Sequence, residues 1–341
     1  MGSKEKEGVP LRYKVGKKAR RTNMNKNLGK TPGWWDWTSF VIEQGEGFAA
    51  KVRSLTLKDM LALSRDGFQV TVYNTPQGFF LAEALEYVHA WQQATATNPV
   101  GVCGPIGPVE QLPLAASIIN TLGINVANGV FAGMDEFVQD GKAVGKDHPL
   151  SFAAADMDLC FDRIRTDLRM PDENILFPTE NVRPDSPYVD AWNDPGIRWA
   201  LTQGGQGNTK HFAFNDPLEQ KGPYADRPPT VEEYMAIGTR VVDLHPLTIA
   251  QDARHSNGGE ESQIPSQAVT VGPKEVIGRS ECVSIWHPGH HDNAFGIRLT
   301  AYMISKGITD ARVPMSLLAL HNNVRFSLLG PCIPNAGIDV H

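Results

Sequence analysis

Cysteine is scarce and scattered. The four residues, Cys103, Cys160, Cys282 and Cys332, never fall in a CxxC spacing. That argues against a zinc ribbon or a disulfide framework and for reduced, mostly buried thiols in a cytoplasmic protein. Long apolar runs are missing as well. No window approaches 18 uninterrupted apolar residues, so no membrane span is expected. The first 30 residues lack the apolar core of a secretory signal. Internal repeats are absent, and so is low-complexity sequence beyond the N-terminal arm. What remains is the composition of a soluble globular protein, with 341 residues, 41% hydrophobic and 21% charged. This is enough for one large α/β domain or two small ones.

Charge is unevenly spread. Residues 1–30 carry ten Lys/Arg against two Glu, whereas the whole chain has a net charge of −6. No nucleic-acid recognition fold accompanies the basic stretch, so a solvated arm or one docked on an acidic neighbouring subunit is the expectation. After an irregular start come Trp34, Trp35 and Trp37. They suit packing of an extension onto the body more than stacking on a sugar ring. The division expected is a basic N-terminal extension with a Trp cluster over 1–60 and an α/β domain over 61–341.

From residue 55 onward, strands and helices alternate. Strands are expected at 68–73, 99–103, 129–133, 199–202, 268–271, 282–286 and 324–329, from their β-branched and aromatic content. Helices are expected at 55–64, from Thr75-Pro76 through Trp91, through 114–122, and at 152–167, 231–241 and 293–305. Such alternation implies a parallel sheet covered on both faces. Sites in these folds form in loops at the carboxyl ends of the strands.

Three segments that follow expected strands carry chemistry. Gly104-Pro105-Ile106-Gly107-Pro108 can present backbone N–H groups to an anion, though its prolines remove donors. Asp135-Glu136 can supply a general base, or cap the next helix. The run from Gly204 and Gly205 through Gly207, Asn208, Thr209 and Lys210 to His211 and Asp216 combines close backbone approach with a His and a carboxylate five residues later.

The last of these resembles the glucosamine-6-phosphate deaminase signature GG-x-GN-D-GH-x-AFNEP. It matches at Gly204, Gly205, Gly207, Asn208, His211, Ala213, Phe214, Asn215 and Pro217. Met134-Asp135-Glu136 resembles the family's MDEY, and His148-Pro149 with Ser151 its HP-x-SY. Thr270-Val271-Gly272 is similar to its TVG, and Gly289-His290-His291 to its late GHH turn. The resemblance runs over roughly residues 68–331. It implies a three-layer α/β/α domain with a Rossmann-like, mostly parallel sheet. It also implies a homo-oligomer, no cofactor, and a sugar or sugar phosphate as ligand. Asp135 would be the base moving a proton between C2 and C1, with Glu136 beside it. His211 would open the ring, and Asp216 would tune the imidazole. Gly104, Gly107, Gly205, Gly207, Asn208, Thr209, Lys210, Arg254, His255, His290 and His291 would surround the substrate.

Departures from the pattern fall on the phosphate side. The resembled loop loses both threonines, the late lysine is matched by Asp292, and the lid arginine falls near His255, with Arg254 adjacent. The acid two places before the histidine is Thr209, which predicts a lower pKa for His211 or a different proton route. Either the substrate lacks a phosphate or carries another group, or Lys210, Arg254 or Arg298 rebuilds an anion site, or the chain binds a sugar phosphate without turning it over. The cluster His287, His290, His291 and Asp292 has metal-compatible spacing, but lining of a sugar pocket is expected instead of a metal. Two rivals remain: a lactone hydrolase of the same fold, and a sugar-binding regulator without activity.

Overall fold

The computed structural model describes residues 29–107, 109–289 and 293–336. Eleven strands are present among them: β1 Phe68–Tyr73, β2 Val100–Gly104, β3 Gly129–Gly133, β4 Asp135–Gln139, β5 Lys142–Ala143, β6 Ile175–Leu176, β7 Arg198–Gly204, β8 Arg240–Asp243, β9 Gln267–Thr270, β10 Val283–His287 and β11 Val324–Leu329. Seven form one sheet, in the order β1-β11-β10-β7-β2-β3-β6. All its neighbours pair in parallel. From β2 the chain winds outward to β3 and β6, then returns to β7 and winds the other way through β10 to β11. This is the doubly wound pattern, with β1 added beyond β11. Its direction reverses between β2 and β7, where such folds open a crevice.

Alternation along the central strands feeds two separate cores. Cys103, Val130 and Ala132 point into a core shared with Ile285, Ile297 and Phe326. Val102 and Phe131 point into another, shared with Tyr87, Trp91 and Leu112. Helices therefore cover both faces, giving the three-layer α/β/α architecture that the alternation implied. The helix Pro76–Trp91 begins as the sequence predicts. Thr75 Oγ1 accepts the Gly78 N–H, and Pro76 occupies the first turn, where its missing N–H is no loss.

A second, four-stranded antiparallel sheet, β5-β4-β9-β8, projects from the end of β3. Here the expectations need correcting. The helix expected over 231–241 stops at Met235, and Arg240–Asp243 is strand β8 instead. Its Val241 and Val242 stand opposite Val269 and Ala268 of β9, a β-branched pairing that local propensity could not reveal. The helix expected over 152–167 ends at Leu159.

The described part of the extension holds helices Trp37–Gln44 and Glu46–Arg53. Phe40 and Val52 pack there against Leu299 and Met303 of the helix Ala294–Lys306. The three tryptophans separate. The Trp35 indole N–H donates to the Tyr224 carbonyl at 2.7 Å, Trp34 sits edge-on to His245, and Trp37 lies under Lys210. All three pack the extension onto the body. No helix among the described residues is long and apolar enough to cross a membrane.

Candidate active site

A cleft of about 320 Å³ opens at the reversal point. Its floor and walls come from the loops after β2 and β7, from the start of β4, and from the helix Pro246–Ser256. Asp135 and His211 both line it.

Asp135 is the first residue of β4, paired with Thr270 of β9. Its Oδ1 accepts the Phe214 N–H at 3.2 Å, and that N–H is shared with Thr270 Oγ1 at 3.0 Å. Only 8% of the residue is exposed. Burial pushes its carboxyl up to about 7, against the opposing pull of Thr270, the Phe214 amide and His211. A carboxylate so placed is a stronger base than an exposed one and is poised near neutral pH.

His211 sits on the loop after β7. Its Nδ1 lies 2.6 Å from Asp216 Oδ1, so the Nδ1–H donates there and Nε2 keeps its lone pair. Asp216 is tied down by further donors: Thr209 Oγ1 at 2.6 Å, Thr248 Oγ1 at 2.8 Å and the His245 N–H at 3.1 Å. Burial alone would raise the Asp216 carboxyl, yet the His211 charge and these donors hold it at about 2. Burial opposes protonation of His211 too, but the charge and hydrogen bond of Asp216 outweigh it and raise its pKa. The lower value expected from Thr209 is therefore corrected. Asp216 supplies the missing charge, and Thr209 helps to hold Asp216 in place.

The loop is immobilised from below. Tyr234 Oη donates to the carbonyls of Asn215 and Asp216, and Arg240 to Asn215 Oδ1. Lys210 and Ala213 flank the histidine region with left-handed backbones, φ +65° and +49°. Strain of this kind persists only where surrounding contacts over-determine the conformation. Gly207 is required by the imidazole itself, because a Cβ there would come within 2.0 Å of His211 Nε2. Gly207→Ala should therefore displace the ring. The expected outcome is a loss of turnover close to that of removing His211, with about 1–3 kcal/mol lost in stability. Steady-state kinetics with thermal unfolding checks both, and near-normal turnover would show that the ring position is not critical.

Several sequence-nominated residues lie elsewhere. Glu136 is no second acid of the cleft. Its carboxylate accepts Ser151 Oγ and the N–H groups of Phe137, Phe152 and Ala153, anchoring the helix Phe152–Leu159. Lys210 also turns away. Its ammonium lies 4.0 Å from the Trp37 ring centroid and donates to the Asn208 carbonyl. Burial lowers its pKa to about 7, partly offset by Asp36. Arg298 spends its guanidinium on the carbonyls of Leu55 and Ala294. Neither cation can rebuild an anion site in the cleft. Gly104 lies behind the wall, its carbonyl accepting the Met134 N–H. Gly107, Gly205, Gly207 and His255 line the cleft. The Asn208 N–H donates to Gln251 Oε1, and Arg254 is exposed on the helix Pro246–Ser256. His290, His291 and Asp292 lie outside the described residues, as does Pro108.

Three lining residues had no sequence signal. Gln206 is 2% exposed, its Oε1 held by Thr300 Oγ1 and its Nε2 without a partner. Asp252 has an Oδ2 that is buried and unpartnered. Burial raises its pKa to about 7. Glu110 stands at the start of the helix Gln111–Leu122.

No protein-family model matches the chain. The glucosamine-6-phosphate deaminase of Cronobacter sakazakii is 28% identical over 206 residues, 58% of this chain. The chain spans 66% of that relative's length. A solved monomeric glucosamine-6-phosphate deaminase superposes with a TM-score of 0.56 at 17% identity, over 76% of this chain and 96% of its own. The chain is thus similar in sequence to a glucosamine-6-phosphate deaminase over part of its length, and shares the fold of a solved one. The 6-phosphogluconolactonase from Plasmodium vivax has the same fold, with a TM-score of 0.52 at 11% identity, over 80% of this chain and 95% of its own. The fold is thus common to deaminases and lactonases, and the cleft, not the fold, decides between their reactions.

Proposed function

We propose that the protein isomerises an amino sugar from aldose to ketose, with release of ammonia. The observation that carries this reading is that a buried carboxyl poised near pH 7 and an Asp-oriented imidazole wall one cleft. His211 Nε2 takes the anomeric hydroxyl proton and returns it to the ring oxygen, opening the ring. Asp135 then removes the C2 proton, while the substrate's ammonium releases a proton and O1 takes one up, giving a neutral enolamine. Return of the proton from Asp135 to C1 leaves a ketose imine. Water adds at C2 and ammonia departs, so one aldosamine and one water become one ketose and one ammonia. With a simple aldose, the same steps stop at the ketose.

The test is a panel of amino sugars and simple sugars, each with and without a 6-phosphate, assayed for ketose and ammonia, with sugar lactones alongside. Ketose and ammonia in equal amounts are expected from an amino sugar. Lactone hydrolysis without ketose from any sugar would replace this reading by its lactonase rival. Binding of sugars without turnover would leave a regulator.

A further inference from the structure

Resting on that reading of the cleft, we infer that it selects amino sugars that carry no 6-phosphate, through Gln206, Asp252 and Glu110. The carboxyl side chains along its described lining are Glu110, Asp135 and Asp252, with His211 and His255 as the only other ionisable groups among those residues. No Lys or Arg is among these described lining residues. Lys210 and Arg298, the nearby buried cations, are spent on Trp37 and on backbone carbonyls.

Among the described residues, an anion entering the cleft can approach the N-terminus of the helix Gln111–Leu122, where amide dipoles point outward. A carboxylate of the chain stands beside that N-terminus, though it does not cap the helix. Glu110 Oε2 accepts the Val109 N–H at 3.1 Å. A phosphate dianion brought there would face Glu110 directly, with Asp252 also on the cleft wall.

The same walls are built for a polyol bearing an amine. Gln206 is buried, and its free Nε2 needs an acceptor, such as a sugar hydroxyl oxygen. The free Oδ2 of Asp252 needs a donor, either a hydroxyl or the substrate's ammonium. Unpartnered buried polar atoms are rare in native proteins, and two of them on one cleft mark where a ligand completes the hydrogen bonding. A neutral or cationic sugar satisfies both, whereas a 6-phosphate brings a dianion into a cleft walled by three carboxyl groups.

Isothermal titration of the full-length Asp135→Asn chain with glucosamine and with glucosamine 6-phosphate measures the preference without turnover. The free amino sugar is expected to bind at least about tenfold more tightly. Glu110→Gln and Asp252→Asn, each made in that background, should narrow the ratio several-fold, and Gln206→Leu should weaken both sugars. Tighter binding of the phosphate, a ratio that neither acid substitution moves, or binding of neither sugar overturns the inference. Turnover by the wild-type chain is read separately. A binding preference without ketose formation refutes the isomerase reading alone, and ketose formation from the phosphate in preference to the free sugar refutes this inference alone.

Discussion

Asp135→Asn should lower turnover by about 10³-fold and, at pH 8, raise the melting temperature. The first effect follows from the proposed role: an amide keeps the acceptor for the Phe214 N–H but cannot take a carbon-bound proton. The second follows from burial. An unfolded Asp ionises near pH ~3.9, whereas the folded Asp135 ionises at about 7. Between those values the native chain holds a proton that the unfolded chain has released. The stability tied to that proton is fully present below about pH 4 and is lost as pH rises through about 7. Asparagine removes the penalty, worth roughly 2–4 kcal/mol at pH 8. Thermal unfolding at pH 5 and pH 8 should show the gap between variant and wild type widening at the higher pH. The same pKa predicts that wild-type kcat/KM falls as pH drops below about 7. Wild-type turnover in the variant would remove Asp135 from the mechanism, and a lower melting temperature at pH 8 would contradict the account of its burial.

His211→Ala should divide the reaction in two. On a cyclic amino sugar the loss is expected at about 10²–10³-fold, the range of a positioned acid/base group. On a substrate held open by methylation at O4 and O5, only a few-fold loss is expected, because ring opening is no longer needed. Asp216→Asn is the companion variant. It keeps the side-chain shape but removes the charge that raises the His211 pKa, so the His-dependent limb of the pH–rate profile should move to lower pH. Equal losses on the cyclic and open substrates would place His211 in the proton transfer at carbon instead.

How far the sequence foretold this site depended on backbone direction. The extended strands β1, β3 and β11 were legible to their end residues, because runs such as Phe68–Tyr73 bury β-branched side chains in any parallel sheet. The small sheet was mostly not legible, since β8 is made a strand by its pairing with β9. Asp135, His211 and Asp216 stood out by their order and spacing. Glu136 misled because adjacent residues in a strand face opposite sides, so only one of the two acids can reach the cleft. Lys210 misled for a related reason. Its left-handed backbone is set against the packed extension, which takes up the ammonium. Asp252 and Gln206 gave no signal, because what distinguishes them is the absence of a partner, a property of the folded chain alone.

The placement of β1 bears on the order in which the molecule can assemble. Phe68 pairs with Val324 and Tyr73 with Leu329, so among the described residues the first strand in chain order has its sheet partner in the last. On a ribosome, β2, β3 and β7 can join as they emerge, while β1 waits with its edge open. Closing that loop demands a large loss of chain entropy before any pairing is gained, the circumstance that slows folding. Emergence of β11, more than any local helix or turn, sets the moment at which this sheet is completed.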